Sequence, residues 1–327
     1  MKFWHYGLII ILSFCSPVQA LQGSPQQPDD RAAASTNNDG ERWFNLMATA
    51  LNTLNFEASL VHVQGDRIEP YQWVHGVDNS GRQFEWLMQM NGPGFRALRI
   101  NDRVSHFHPA TESYSLKSEV LSTLIPSAFN RPFDEVASHY RAVAVGGARV
   151  LDRKAQHIRI VSRDNQRYGF SLWLDRETGM PLKVLMVNRN GEIMEQLQMT
   201  SLSMRPVSPT MMNELSEIEQ PPFLAQLRSS QPPQLTRQPN WSPAGFRLIK
   251  QQHHRLVLDG TPVDHYLYSD GLAEYSVYLA KAEGEPMPAM SLAGPQTLFS
   301  QPVADTIVTV VGHIPLEVAK QVASSVQ

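Results

Sequence analysis

From Trp43 through Leu46, Met47, Ala50 and Leu51 to Leu54, apolar residues recur at spacings of three and four, which predicts an amphipathic helix. After Asn55 the period drops to two. Segments 56–63, 71–77, 83–90, 95–100 and 103–108 are short and rich in aromatic and branched residues. They are separated by Gly-Asp, Asn-Ser-Gly, Gly-Pro-Gly and Asn-Asp, the pattern of strands and turns in an antiparallel sheet. A second helical zone is predicted over 117–140, interrupted by Ser127–Arg131 and Pro132. Strands are expected again at 141–146, 148–152, 156–163, 167–174, 181–188 and 192–203. Asn190-Gly191 marks a hairpin, because both residues tolerate positive φ. Pro181 falls at a strand start, where its missing N–H does no harm.

Residues 205–239 break the alternation. Prolines are frequent there, including Pro221-Pro222 and Pro232-Pro233, so a regular element survives only in pieces such as 210–218. This stretch reads as a semi-rigid linker between two domains. Alternation returns at 246–250, 264–268, 273–280 and 306–311. The chain ends in a short helix from Pro315, with Leu316, Ala319, Val322, Ala323 and Val326 on one side. The expected organisation is 41–204 as a larger domain, 205–239 as a linker and 240–327 as a smaller domain, an α+β arrangement. A length of 327 residues suits two domains.

The first twenty residues combine Lys2, an apolar run over Leu8–Phe14 and Val18-Gln19-Ala20, the pattern of a secretory signal peptide. Its apolar core is too short to span a membrane. Residues 21–40 are polar and aperiodic and read as a disordered leader. Cys15 is the one cysteine, and Leu12 stands at the offset of a lipoprotein site, but Phe14 is too large for the residue before a lipidated cysteine. Cleavage after Ala20 leaves a chain that can make no disulfide and offer no thiolate, which fits the periplasm. The formal net charge of −3 excludes a protein that coats nucleic acid.

Catalytic motifs are absent: there is no G-x-S-x-G, H-E-x-x-H, Walker A or G-x-G-x-x-G pattern, so no catalytic residue and no cofactor is assigned. His106 and His108 share one face of a predicted strand, with Asp102 and Glu112 near in sequence. Two imidazoles alone are a thin basis for a metal-assisted hydrolase, and no metal is assigned. Arg149, Arg153, Lys154, Arg159, Arg163 and Arg167 cluster in sequence and are candidates for an anionic partner. Phe84, Trp86, Met88 and Met90 fall on one face of a strand. Leu172, Leu185, Met186, Met194 and Met199 add further soft apolar groups, so a concave sheet that takes acyl chains is one reading and plain core the other.

Several stretches together resemble the bacterial sigma-E regulatory RseB family, called MucB in pseudomonads. They are LMQMNGP at 87–93, RYGF at 167–170, LWLDRETGMPLK at 172–183, NGE at 190–192, WSPAGF at 241–246, YSDGL at 268–272 and VTVVG at 308–312. The resemblance implies an unclosed antiparallel β-barrel with plugging helices, similar to the lipoprotein carriers LolA and LolB, followed by a small α+β domain. It implies a periplasmic protein that binds the periplasmic part of the anti-sigma factor RseA and shields it from proteolysis until lipopolysaccharide or another lipid intervenes. Within that picture the patterning of apolar residues puts the expected lipid-facing wall at Trp86, Met88, Met90, Phe95, Leu121, Leu124, Ile125 and Phe129. The partner surface is expected at Arg149–Arg167 and at the turn carrying Tyr268 and Asp270. A LolA-type lipid carrier is the main alternative, although such carriers end after one domain. Self-association stays open, since an unclosed barrel leaves edge strands to cover.

Overall fold

The computed structural model describes residues 30–78, 80–92, 94–121, 124–224, 231–256, 260–282 and 288–327, with 30–38 described by backbone alone. The predicted signal peptide, Cys15 and the first part of the leader lie outside these residues. Helix α1 (Asp30–Thr53) begins well before the predicted start near Glu41, so the last part of the expected leader is helical. Ala32, Ala33 and Ala34 explain the difference: they are strong helix formers without the large residues that mark an apolar stripe.

Eleven strands follow: β1 (Phe56–Gln64), β2 (Arg67–Val77), β3 (Gln83–Gln89), β4 (Arg96–Ile100), β5 (Arg103–Phe107), β6 (Tyr114–Lys117), β7 (Tyr140–Val150), β8 (Arg153–Ser162), β9 (Gly169–Asp175), β10 (Pro181–Val187) and β11 (Ile193–Ser203). They form one antiparallel sheet in the order β6-β5-β4-β3-β2-β1-β11-β10-β9-β8-β7. Two meanders are thus joined where β1 pairs with β11, and the outermost strands, β6 and β7, leave the barrel unclosed, as the resemblance implies. The concave side is filled by Phe44, Met47 and Leu51 of α1 and by Phe129 and Phe133, packed on residues such as Leu60, Leu172 and Leu182. Phe44 meets Phe129 and Phe133 edge-on, with ring centroids at 5.7 and 5.2 Å.

Phe129 and Phe133 arrive on irregular backbone. The predicted helical zone over 117–140 forms only two 3-10 turns among the described residues, Ser127–Asn130 and Phe133–Glu135. Pro126 and Pro132 precede these turns, and neither has the amide that a continuing helix would require.

The proline-rich stretch is fastened down rather than spanning open space. Ser208 caps α2 (Pro209–Glu217), its hydroxyl accepting the Met211 N–H at 3.2 Å. Leu215, with Val207, Met211, Met212 and Ile218, covers Val74, Phe84, Trp86 and Leu98 on the convex face of β2–β4. Gly76 permits this approach, because a Cβ there would stand 2.8 Å from Val207 Cγ2. Beyond α2 the chain runs along β6. Ser115 N–H donates to the Pro222 carbonyl at 2.8 Å, and Arg103 donates to the Pro221 carbonyl at 2.6 Å with its guanidinium over Phe223. Prolines suit this position: they accept from an exposed strand edge and present few amides of their own. From Gln231 the segment belongs to the second domain, where the Gln234 and Leu235 N–H groups donate to the Asp264 carboxylate.

The second sheet comprises β12 (Arg247–Arg255), β13 (Pro262–Ser269), β14 (Glu274–Lys281), β15 (Met290–Leu292), β16 (Thr297–Val303) and β17 (Thr306–Gly312), ordered β12-β13-β14-β17-β16-β15. Helix α3 (Leu316–Ser324) lays Val318, Ala319, Val322 and Ala323 on Tyr275, Val277, Val308 and Val310, the face its spacing predicts. Among the described residues no helix is long and apolar enough to cross a membrane.

Candidate functional site

The two sheets meet at one end of the larger one. Leu272, in the turn between β13 and β14, inserts into the apolar core of the first domain. Beside it Arg167 Nε donates to Asp270 Oδ2 at 2.5 Å, with both side chains wholly buried. The same guanidinium reaches Asp164 and the Ala244 carbonyl. Tyr140 donates its hydroxyl to Asp270 at 3.0 Å, and Tyr168 donates to the Gly294 carbonyl at 3.0 Å. Burial and the Asp270 charge push the Tyr140 phenol well above its ordinary range, so it stays a donor. Burial opposes charge on Asp164, but hydrogen bonds from Arg167, the Gln166 N–H and Ser162 outweigh it and hold the carboxyl below its usual value. Gly245 completes the fit. Its φ of +89° suits glycine, and a Cβ there would collide with the His139 ring across the junction.

A cavity of about 170 Å³ opens at this junction. The first domain supplies Leu124, Ile125, Phe170, Val184, Met186 and Leu197, and the second closes it with Leu272 and Ala273. Glu195, Glu274, Tyr168 and His313 give it a polar border. Glu195 is paired with His62 from β1. The arrangement can take an apolar chain while leaving a polar group at the border.

Of the eight residues expected on a lipid wall, Leu124 and Ile125 line this cavity. Leu121 and Phe129 are buried core, and Phe129 reaches the cavity only through Phe170, its ring 5.4 Å away. Phe95 is half-buried, beside His106 and His108 at ring distances of 6.0 and 5.3 Å. Trp86, Met88 and Met90 do not face inward. Trp86 lies beneath α2 on the convex face, Met88 borders that cluster, and Met90 is 54% exposed beyond the end of β3. The alternation of β3 sets this: Leu87 points into the main core, and its even-numbered neighbours therefore point away.

The six basic residues do not form one patch. Arg149, Arg153 and Lys154 lie at the β7–β8 turn, whereas Arg163 and Arg167 follow the far end of β8, roughly 30 Å away at strand rise. Arg149 pairs with Asp152, and Arg153 bonds Asp175 at 2.8 Å. Arg163 donates to the Ala137 and Tyr140 carbonyls, while Lys154 and Arg159 are exposed. Arg167 and Asp270, both expected to contact a partner, bond each other instead. Tyr268 is also interior, stacked on Tyr275 at 5.0 Å. His106 and His108 sit with ring centroids 6.4 Å apart, and burial followed by the nearby His108 lowers the His106 pKa to about 4. No group of three or more His, Cys, Asp or Glu among the described residues is placed to hold a metal ion.

The sequence model for the MucB/RseB N-terminal domain matches residues 39–224, and that for the MucB/RseB C-terminal domain matches 232–327. The chain belongs to the MucB/RseB family. Relatives named sigma-E factor regulatory protein RseB from Salmonella typhimurium and Escherichia coli are 29% and 28% identical, over 86% of this chain and 88% of theirs. The sigma factor AlgU regulatory protein MucB of Pseudomonas aeruginosa is 28% identical over 88% of this chain and 91% of its own. Among solved structures, the Pseudomonas aeruginosa MucA/MucB complex gives a TM-score of 0.71 at 28% identity, covering 88% of this chain and 98% of that one. MucB in complex with MucA(peri) gives 0.71 at 27% identity, and MucB crystallised under its own name gives 0.59 at 27%, both with the same coverage.

Proposed function

We propose that this protein is a periplasmic negative regulator of the sigma-E envelope-stress response. It binds the periplasmic domain of an anti-sigma factor, protects that domain from regulated proteolysis, and releases it when lipopolysaccharide or another lipid binds. The observation that carries this reading is the similarity, across both domains, to MucB in complex with MucA(peri), at a TM-score of 0.71 over 98% of that chain. The cavity supports the lipid step. Its walls come from both domains, so a lipid inside it has different affinities for different domain arrangements, which release by a ligand requires. Glu195 and Glu274 border it and none of the six expected basic residues does, so the acyl chain, not a phosphate, is the part we place inside.

Titrating the periplasmic domain of the same organism's anti-sigma factor into the full chain by calorimetry tests the reading. Saturable binding that lipopolysaccharide weakens is the expected result. Lipid binding without partner binding would make the protein a carrier, and binding of neither would remove the proposal. Leu124→Asp separates the two arms. Leu124 is only half-buried, so the fold should hold, while a charge on an apolar wall should lower lipid affinity about tenfold. Partner affinity should stay unchanged, and partner release should then need correspondingly more lipid. Unaltered lipid titration of this variant would place the lipid elsewhere.

A further inference from the structure

Arg167 precedes β9 in the first domain and Asp270 lies in the second, yet neither side chain reaches water. Two of the three acceptors of the guanidinium, the Asp270 carboxylate and the Ala244 carbonyl, come from the second domain, and only Asp164 comes from its own. The rings of Phe246 and Tyr140 lie 5.1 and 5.7 Å from its central carbon. Asp270 accepts three further bonds, from the N–H groups of Leu272 at 2.9 Å and Ala273 at 2.7 Å and from Tyr140. Complete, such a network is close to break-even against its desolvation. Stripped of one side, it leaves an uncompensated buried charge. A domain rotation therefore meets a joined state and a parted state, with little of comparable energy between them.

The cavity adjoins this network on both sides. Tyr168 follows Arg167, Leu272 and Ala273 follow Asp270, and all three border the cavity. A ligand larger than the space available can thus press on Tyr168 or on the Gly271–Ala273 turn, each within three residues of one of the charged groups. The chain as a whole gives a TM-score of 0.71 against MucB in complex with MucA(peri) and 0.59 against the crystal structure of MucB, each over 88% of this chain.

We propose that the Arg167–Asp270–Tyr140 junction is a latch: joined, it holds the domains at the angle that retains a polypeptide partner, and an apolar ligand overfilling the adjoining cavity parts it. The latch stands on the geometry, while its effect on a partner rests on the function proposed above. The test uses full chains carrying Arg167→Met alone and together with Asp270→Asn. The double variant removes both charges while keeping an acceptor for the Leu272 and Ala273 N–H groups, so it should fold where the single variant is weakened.

Small-angle scattering reads the domain arrangement, and calorimetry with the anti-sigma periplasmic domain reads affinity. The double variant is expected to melt cooperatively, to show an altered scattering profile, and to lose affinity about tenfold. Lipopolysaccharide should shift the wild-type profile toward that of the variant. A variant profile that superposes on the wild type overturns the latch, whatever the affinity does. An altered profile with unchanged affinity overturns its link to the partner. Should the wild type bind no anti-sigma domain while the variant still opens, the function proposed above falls and the latch stands.

Discussion

Arg99→Met is expected to destabilise the first domain by about 3–5 kcal/mol, as breaking one side of a buried ion pair generally does. Arg99 Nε donates to Glu85 Oε2 at 2.8 Å, and its Nη1 donates to Gln83 Oε1 at 2.8 Å. Trp73 Nε1 donates to the other Glu85 oxygen at 2.8 Å. Both charged side chains are under a tenth exposed, so neither can turn to water when its partner is lost. Methionine fills similar space but leaves the Glu85 carboxylate with only the indole N–H. Urea unfolding checks the loss. The double variant Arg99→Met with Glu85→Gln should recover most of it, because the buried charge is gone and an amide oxygen still accepts the Trp73 indole N–H. A loss below about 1 kcal/mol for Arg99→Met would mean that the pair behaves as an exposed one, contrary to its burial.

The same strands show how far the sequence could be read. Alternation along β3 is plain, and it correctly separates Phe84, Trp86 and Met88 from Glu85 and Leu87. Which set faces inward is not local information. The larger apolar set looks like the concave wall, whereas Glu85 looks like a solvent position. The decision is made by α2, which covers the convex face, and by Arg99 one strand away, which neutralises Glu85. The 117–140 segment carries the apolar content of a plug but not its backbone, because Pro126 and Pro132 limit it to single turns. In the second domain, β16 was not marked by alternation: it reads TLFSQPV, with a proline near its end.

Charge was legible as residues and not as pairs. Arg167 and Asp270 both stand out in sequence, each close to aromatic residues and glycine, and both suggest contact with something external. They are 103 residues apart, and the contact is with each other. Sequence order places Arg149 through Arg167 together, but strand geometry spreads them along the length of β8. The cavity is hidden for the same reason. Its wall combines β9, β10, β11, the irregular stretch at 124–127 and a turn of the other domain, and no single period in the chain describes it.

Phe129→Ala is expected to have opposite effects on stability and on ligand uptake. Phe129 is fully buried, packed edge-on against Phe44 and against Phe170 at 5.4 Å, so truncation should cost about 3–5 kcal/mol. The space it vacates lies directly behind Phe170, which lines the junction cavity. An apolar void of this kind stays dry and accepts apolar guests. The variant should therefore bind a naphthylamine fluorescent probe more tightly than the wild type, at temperatures where both remain folded. Denaturant titration gives the stability loss, and probe titration gives the uptake. Weaker probe binding by a folded variant would make Phe129 itself a contact surface for the ligand. Tighter binding makes it part of the plug that sets the depth of the cavity, so that core stability is traded directly against cavity depth.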